Sequence, residues 1–253
     1  MQSKSIKSSA PRDYLQAIRA VLEHLERTQL RNIERAADFV VRALTHGGVV
    51  RCSEIGHGIQ GDFIQRAGGL AAVQPFHFTF NLPDNIGPAK GRTAAKGFER
   101  DLETVRLAVK AANFRAGDVL LIASVSGKNR APVELALACR KIGVKTVGFT
   151  SLAYTAQVEA LHPSGKKLAD AVDVVIDNGA PYGDAAVSVS GMKEKAMPVS
   201  GVAMDVAGWM LWGRVMEKMS AGGKKPTVFL SVNRAGGMEA YRQSIKRFEK
   251  LGY

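Results

Sequence analysis

Short apolar runs alternate with stretches of helical periodicity along most of this chain, and that alternation constrains the fold more than any other feature. Residues 49–52, 72–78, 118–123, 145–149 and 172–176 read as strands. The third, with Val119-Leu120-Leu121-Ile122-Ala123, is apolar throughout, as expected of a strand buried on both faces. Helical periodicity covers 97–113, 130–142, 199–219 and 237–251, and a shorter helix is expected over 59–67. Strands and helices in this order pack as a mainly parallel sheet covered on both sides. The expected fold is α/β, a doubly wound five-stranded sheet.

The ends extend this unit. Leu15, Ile18, Leu22, Leu25, Ile33, Ala37, Val40, Val41 and Leu44 predict one long helix or two abutting ones over 13–44. Residues 1–12, rich in Ser and Lys, are expected to be a disordered basic tail. Residues 13–253 are expected to form a single domain with helical extensions at both ends. No apolar run approaches the ~18 residues a membrane span requires. Cys52 and Cys139 have neither a CxxC nor a metal-ligand spacing, so reduced thiols in the cytoplasm are expected.

The charge is lopsided. Lys and Arg number 35 against 23 acidic residues, a formal +12. Most of the excess lies in residues 1–12 and 218–253, so solvated ends explain it without nucleic acid, though an anionic partner remains an alternative.

In a doubly wound sheet, ligands bind beyond the carboxyl ends of the strands. After the first strand, Gly56, Gly58 and Gly61 form a GxGxxG. The carboxylate that would hold a dinucleotide ribose is missing from Gln74-Pro75-Phe76-His77-Phe78, which argues against NAD. After the third strand comes Ser124-Val125-Ser126-Gly127-Lys128-Asn129, then a helix. Hydroxyls and an amide at a helix N-terminus suit a phosphate; a plain helix cap is the simpler alternative. Thr150-Ser151 and Asp177-Asn178 end the next two strands. His162 and His57 lie on loops of the same edge. The GxxxxGK[ST] of a nucleotide P-loop is absent.

These loops resemble the sugar isomerase (SIS) domain family. The likeness rests on the Ser-x-Ser-Gly at 124–127, Thr150-Ser151, the Gly-rich first turn, RAGGLA at 66–71, His162-x-Ser-Gly-Lys, AVDVVIDN at 171–178 and Gly183-Asp184. It covers roughly residues 14–236 and is similar to a phosphosugar isomerase subgroup. The resemblance implies a flavodoxin-like strand order, a sugar phosphate ligand, no cofactor or metal, and a homodimer or dimer of dimers. It implies that Ser124, Ser126 and Asn129 hold phosphate with Gly127, that Thr150 and Ser151 touch ligand, and that Gly56 and His57 form the first loop. Gly58 stands where the family usually has serine, and Glu54 where it usually has glycine. A phosphate-binding hydroxyl is therefore missing and a carboxylate has entered.

Aldose–ketose interconversion moves a proton between adjacent carbons through an enediol. Glu99, which matches a glutamate of the subgroup, is the first expected base. His162 is expected to open the ring or shuttle the proton, with His57 a further catalytic residue. Glu54, Asp84, Asp177 and Asn178 are possible sugar contacts. The leading reading is a metal-independent sugar-phosphate isomerase. A non-catalytic phosphosugar sensor is the alternative, favoured by Gly58 and Glu54. An NAD-dependent oxidoreductase and a nucleic-acid binder come after it.

Overall fold

The computed structural model describes residues 9–57, 60–81, 87–89, 91–92 and 99–253. Its centre is a five-stranded parallel sheet ordered β2-β1-β3-β4-β5. The strands are β1 (Val50–Gly56), β2 (Val73–Phe76), β3 (Val119–Ala123), β4 (Lys145–Thr150) and β5 (Val174–Asp177). All five expected strands are present, and so is the flavodoxin-like order. β3 is central and wholly buried, as its unbroken apolar run implies.

Side chains leave β3 alternately. Val119, Leu121 and Ala123 join one core with α1 (Ala10–Thr28), α2 (Leu30–Thr45) and α7 (Ser200–Ala221). Leu120 and Ile122 join the other with α3 (Arg100–Ala111) and α4 (Arg130–Lys141). The period-two geometry of a strand thus builds two cores from five consecutive residues. Helix α1 starts at Ala10, three residues before the expected Asp13, with Pro11 in its first turn. The N-terminal run is two helices broken at Gln29. This buried amide accepts from the Asp177 N–H at 3.0 Å, which pins the break to β5.

The later chain holds elements the periodicity did not announce. α5 (Leu152–Thr155) and α6 (Leu168–Ala171) are single turns, and β6 (Ala185–Ser188) pairs antiparallel with β7 (Lys195–Pro198). The segment expected as a helix over 59–67 forms a 3₁₀ turn at Gln60–Asp62. Residues 227–232, expected extended, contribute an isolated bridge between Val228 and Leu70. α8 (Gly237–Leu251) closes the chain. Among the described residues, no helix is long and apolar enough to cross a membrane.

One irregularity aims the chain at the ligand edge. Cys52 pairs with Leu121 and Gly56 with Ala123, so β1 advances farther than β3 over this stretch. The extra residues bulge out and carry Glu54 to the surface. Gly56 then returns with φ +101°; a Cβ there would lie 2.2 Å from the Ala123 carbonyl oxygen. Only glycine fits this contact, and it delivers His57 to the sheet's carboxyl edge.

Candidate functional site

The loop between β3 and α4 is built to show donors rather than acceptors. Its carbonyls are all taken. Ser124 O accepts from Gly127 N–H, and Val125 O from Ser151 N–H. Val125 O also receives Thr150 Oγ1 at 3.2 Å, and Ser126 O receives Thr155 Oγ1 at 3.0 Å. Gly127 O accepts from Leu168 N–H and Lys128 O from Leu161 N–H. The N–H groups of Val125, Ser126, Lys128 and Asn129 have no backbone partner among the described residues. Asn129, the residue before α4, makes no side-chain cap. The first N–H groups of α4 also lack intrahelical partners, as at any helix start. With its carbonyls taken and its N–H groups at the positive end of a helix dipole, the loop favours an anion.

This loop lines a cavity of about 280 Å³. Gly56 and His57 close it from β1; Ser124, Val125, Ser126 and Asn129 form its floor. Tyr154 of α5 and Gly183-Asp184 complete the wall. It lies at the β1/β3 junction, where strand order reverses, as expected for a doubly wound sheet. Asp184 does not present an open carboxylate. Its Oδ1 accepts from the Val199 and Ser200 N–H groups, and its Oδ2 accepts from Ser200 Oγ at 2.6 Å.

The other expected site residues fall into three groups. Thr150 and Ser151 are fully buried and brace the loop from behind. Thr150 Oγ1 faces Val125 O, while Ser151 Oγ donates to Ala180 O at 2.6 Å and accepts from Tyr154 N–H. Gly127, at φ +65°, leaves room for the Thr150 and Thr155 hydroxyls, which would lie 3.0 and 3.1 Å from a Cβ. Asp177 and Asn178 serve backbone as well. Asp177 accepts from Leu152 and Gly179 N–H and pairs with His24, and Asn178 accepts from Ala180 N–H. Glu54 pairs with His77 on the surface. Asp84 and Gly58 lie outside the described residues.

Glu99 and His162 do not meet. Glu99 precedes α3 and bonds Arg130 at 2.6 Å; Arg130 directly follows Asn129 of the cavity wall. His162 is buried beside α4. Its Nδ1 accepts from Ser164 N–H at 3.1 Å, so its Nε2 carries the proton and donates to Glu134 Oε2 at 2.8 Å. Glu134 also accepts from Arg106 Nε at 2.7 Å. Burial disfavours the Glu134 carboxylate, but the hydrogen bonds from Arg106 and His162 outweigh it and hold its pKa below the ordinary value. Among the described residues, no three His, Cys, Asp or Glu side chains are grouped to hold a metal ion.

A family model described as the SIS domain matches residues 13–151. The chain belongs to the SIS domain family. A UPF0309 protein of Caldanaerobacter subterraneus subsp. tengcongensis is 33% identical over 242 residues, covering 94% of this chain and 96% of that protein. One from Thermoanaerobacter pseudethanolicus is 30% identical over 244 residues, covering 94% and 97%. The phosphoheptose isomerase GmhA of Neisseria gonorrhoeae superimposes with a TM-score of 0.50 at 14% identity, covering 82% of this chain and 95% of that one. A phosphoheptose isomerase from Francisella tularensis gives the same values over 86% and 100%. At that identity the likeness is one of fold.

This SIS domain also presents a cavity residue that the sequence pattern hid. Tyr154 follows Thr150-Ser151 closely, yet its role depends on α5, a single turn too short to register as periodicity. Its ring meets Tyr182 edge-on, with centroids 4.9 Å apart.

Proposed function

We propose that this SIS protein binds a phosphorylated sugar and interconverts its aldose and ketose forms. The loop after β3 carries the reading: every carbonyl is tied back, while hydroxyls and N–H groups border one cavity. Ser124, Ser126, Asn129 and the loop N–H groups would hold the phosphate, and Gly127, Thr150 and Ser151 would hold the loop in shape. His57 is the imidazole on the cavity wall, and we assign proton transfer to it. C2 loses a proton as the carbonyl oxygen gains one, giving the enediol; C1 then gains a proton as the C2 hydroxyl loses one, giving the ketose. Glu99 pairs with Arg130, next to the loop. His162 supports α4 from inside the fold. A homodimer in the cytoplasm fits this reading, supported by exposed Leu15 and Val202 on α1 and α7, two helices that pack together.

A non-catalytic sugar-phosphate sensor is the second reading. It is favoured by the ion pair that holds Glu99 and by the burial of His162. A binding panel followed by an exchange assay separates the two. A panel of sugar phosphates, free sugars, inorganic phosphate and NAD is tested by thermal shift on the native protein and on Ser126→Ala. A native-state ligand at a hundredfold excess over its Kd stabilises by about 2.7 kcal/mol. The expected outcome is a shift with one sugar phosphate that is largely lost in Ser126→Ala. Deuterium appearing at C2 in heavy water marks the isomerase; binding without exchange marks the sensor. A shift with NAD alone would refute both.

A further inference from the structure

Two tyrosines meet at the cavity, each on a short loop that the fold holds in place. Tyr154 lines the cavity and belongs to α5, the single turn after β4. Ser151 fixes that turn: its Oγ accepts from the Tyr154 N–H at 3.0 Å and donates to Ala180 O at 2.6 Å. Ala180 opens the loop that carries Tyr182, so one buried hydroxyl couples the two tyrosine-bearing loops. Tyr182 takes the second position of a turn closed by the Asp184 N–H, which donates to Pro181 O at 2.9 Å. Gly183 follows at φ +80°, the value that the third position of a type II turn requires. Asp184 anchors the far end on the Val199 and Ser200 N–H groups at the start of α7.

The two rings meet edge-on, with centroids 4.9 Å apart and planes at 64°. An edge-on pair engages one face of one ring and leaves the others for further contacts. Tyr182 is 57% exposed, and Tyr154 is half-buried. A lone exposed tyrosine requires no explanation. Here the exposed ring braces one that borders the cavity, and hydrogen bonds hold the loops of both. Such a pair is a preorganised apolar surface.

The cavity therefore has two unlike walls. One shows hydroxyls and N–H groups, and the other carries an aromatic residue. A sugar phosphate has two matching parts: an anion, and a ring whose hydroxyls surround a face of C–H groups. The face of an aromatic ring is negative and attracts those weakly positive C–H groups. A closed sugar ring presents several of them together, whereas an open chain must freeze its torsions to do so. A cavity of about 280 Å³ is at the small end for ligand sites, which suits one such ring with its phosphate.

We propose that Tyr154, braced by Tyr182, sets specificity at this site by stacking on the C–H face of a closed sugar ring whose phosphate sits on the loop after β3. This role rests on the sugar-phosphate reading and holds alike for an isomerase and a sensor.

Titration calorimetry tests it with probes that cannot be isomerised. They are inorganic phosphate, a ring-locked anhydrohexitol phosphate and the open-chain hexitol phosphate of the same configuration, each sugar probe in gluco, manno and galacto forms. In at least one configuration the native protein should bind the ring-locked probe about tenfold more tightly than the open chain. Tyr154→Ala should erase that preference and keep inorganic phosphate affinity within about twofold, which also shows that the loop after β3 is intact. Tyr154→Phe should retain the preference, and Tyr182→Ala should reduce it about threefold. Equal binding of closed and open probes in every configuration, or a preference that survives Tyr154→Ala, would overturn the proposal; phosphate binding lost in Ser126→Ala would then leave the sugar-phosphate reading standing. If neither inorganic phosphate nor any sugar probe binds, that reading fails and the stacking role fails with it.

Discussion

Two hydroxyl-bearing loops flank α4 and are put to opposite uses. At its N-terminus, residues 124–129 tie back their carbonyls and leave hydroxyls and N–H groups beside a cavity. Against its side, His162 and Ser164 turn inward on Glu134 and Arg106, and each ring nitrogen of His162 has a protein partner. The residue types are similar. What differs is whether their hydrogen-bonding capacity is already satisfied. A polar group that the fold satisfies supports structure, whereas one left beside a cavity is available to a ligand.

The largest test of this contrast is Glu134→Ala. Removing the carboxylate loses the half-exposed Arg106 pair and strands the buried His162 donor, which should cost about 2 kcal/mol. By comparison, Ser126→Ala should change stability by less than about 0.5 kcal/mol while weakening phosphate-ligand binding at least about tenfold. Chemical denaturation and calorimetric binding on the same samples measure both. The opposite pattern, with Glu134→Ala stable but unable to bind, would reverse the assignment of the two loops.

Thr150→Val is the intermediate case. Thr150 touches the loop from behind, so losing its bond to Val125 O should cost about 1 kcal/mol. Ligand affinity should stay within about twofold. A tenfold loss of affinity with unchanged stability would make Thr150 a ligand contact after all.

The smallest effect is a dependence on acid. The Glu134 pKa is lowered in the folded protein, so its contribution to stability is present above the unfolded-state value, about 4.3. That contribution is lost as pH falls through the lower folded value. The stability gap between native protein and Glu134→Gln should therefore narrow from about pH 6 towards about pH 3. A gap that widens with acid would show that His162 and Arg106 do not favour the carboxylate.

The donor-rich loop after β3 was legible because its groups are contiguous: a buried strand, two serines, a glycine, an asparagine and a helix follow one another in the chain. The bulge in β1 was not legible. It depends on β3 pairing with both sides of an interruption, and nothing local marks Ser53 to Ile55 as surplus. The β6–β7 hairpin escaped for a related reason, since its strands are short and half exposed and Met197 takes a positive φ. Glu99 read as a base from the family resemblance, and His162 as catalytic from its place on a ligand-edge loop. Their partners, Arg130 and Glu134, lie 31 and 28 residues away, and packing against α4 brought them together.

The sequence by itself determined the α/β class, the five strands, their burial and the anion-favouring loop after β3. Each follows from hydrophobic periodicity or from neighbours in the chain, which act over a few residues. Only the tertiary structure decided which polar groups border the cavity and which are satisfied inside the fold. That depends on side chains far apart in sequence competing for the same donors and acceptors. It also decided that His57, rather than His162, stands at the cavity, because the β1 bulge exists only once β1 and β3 have paired.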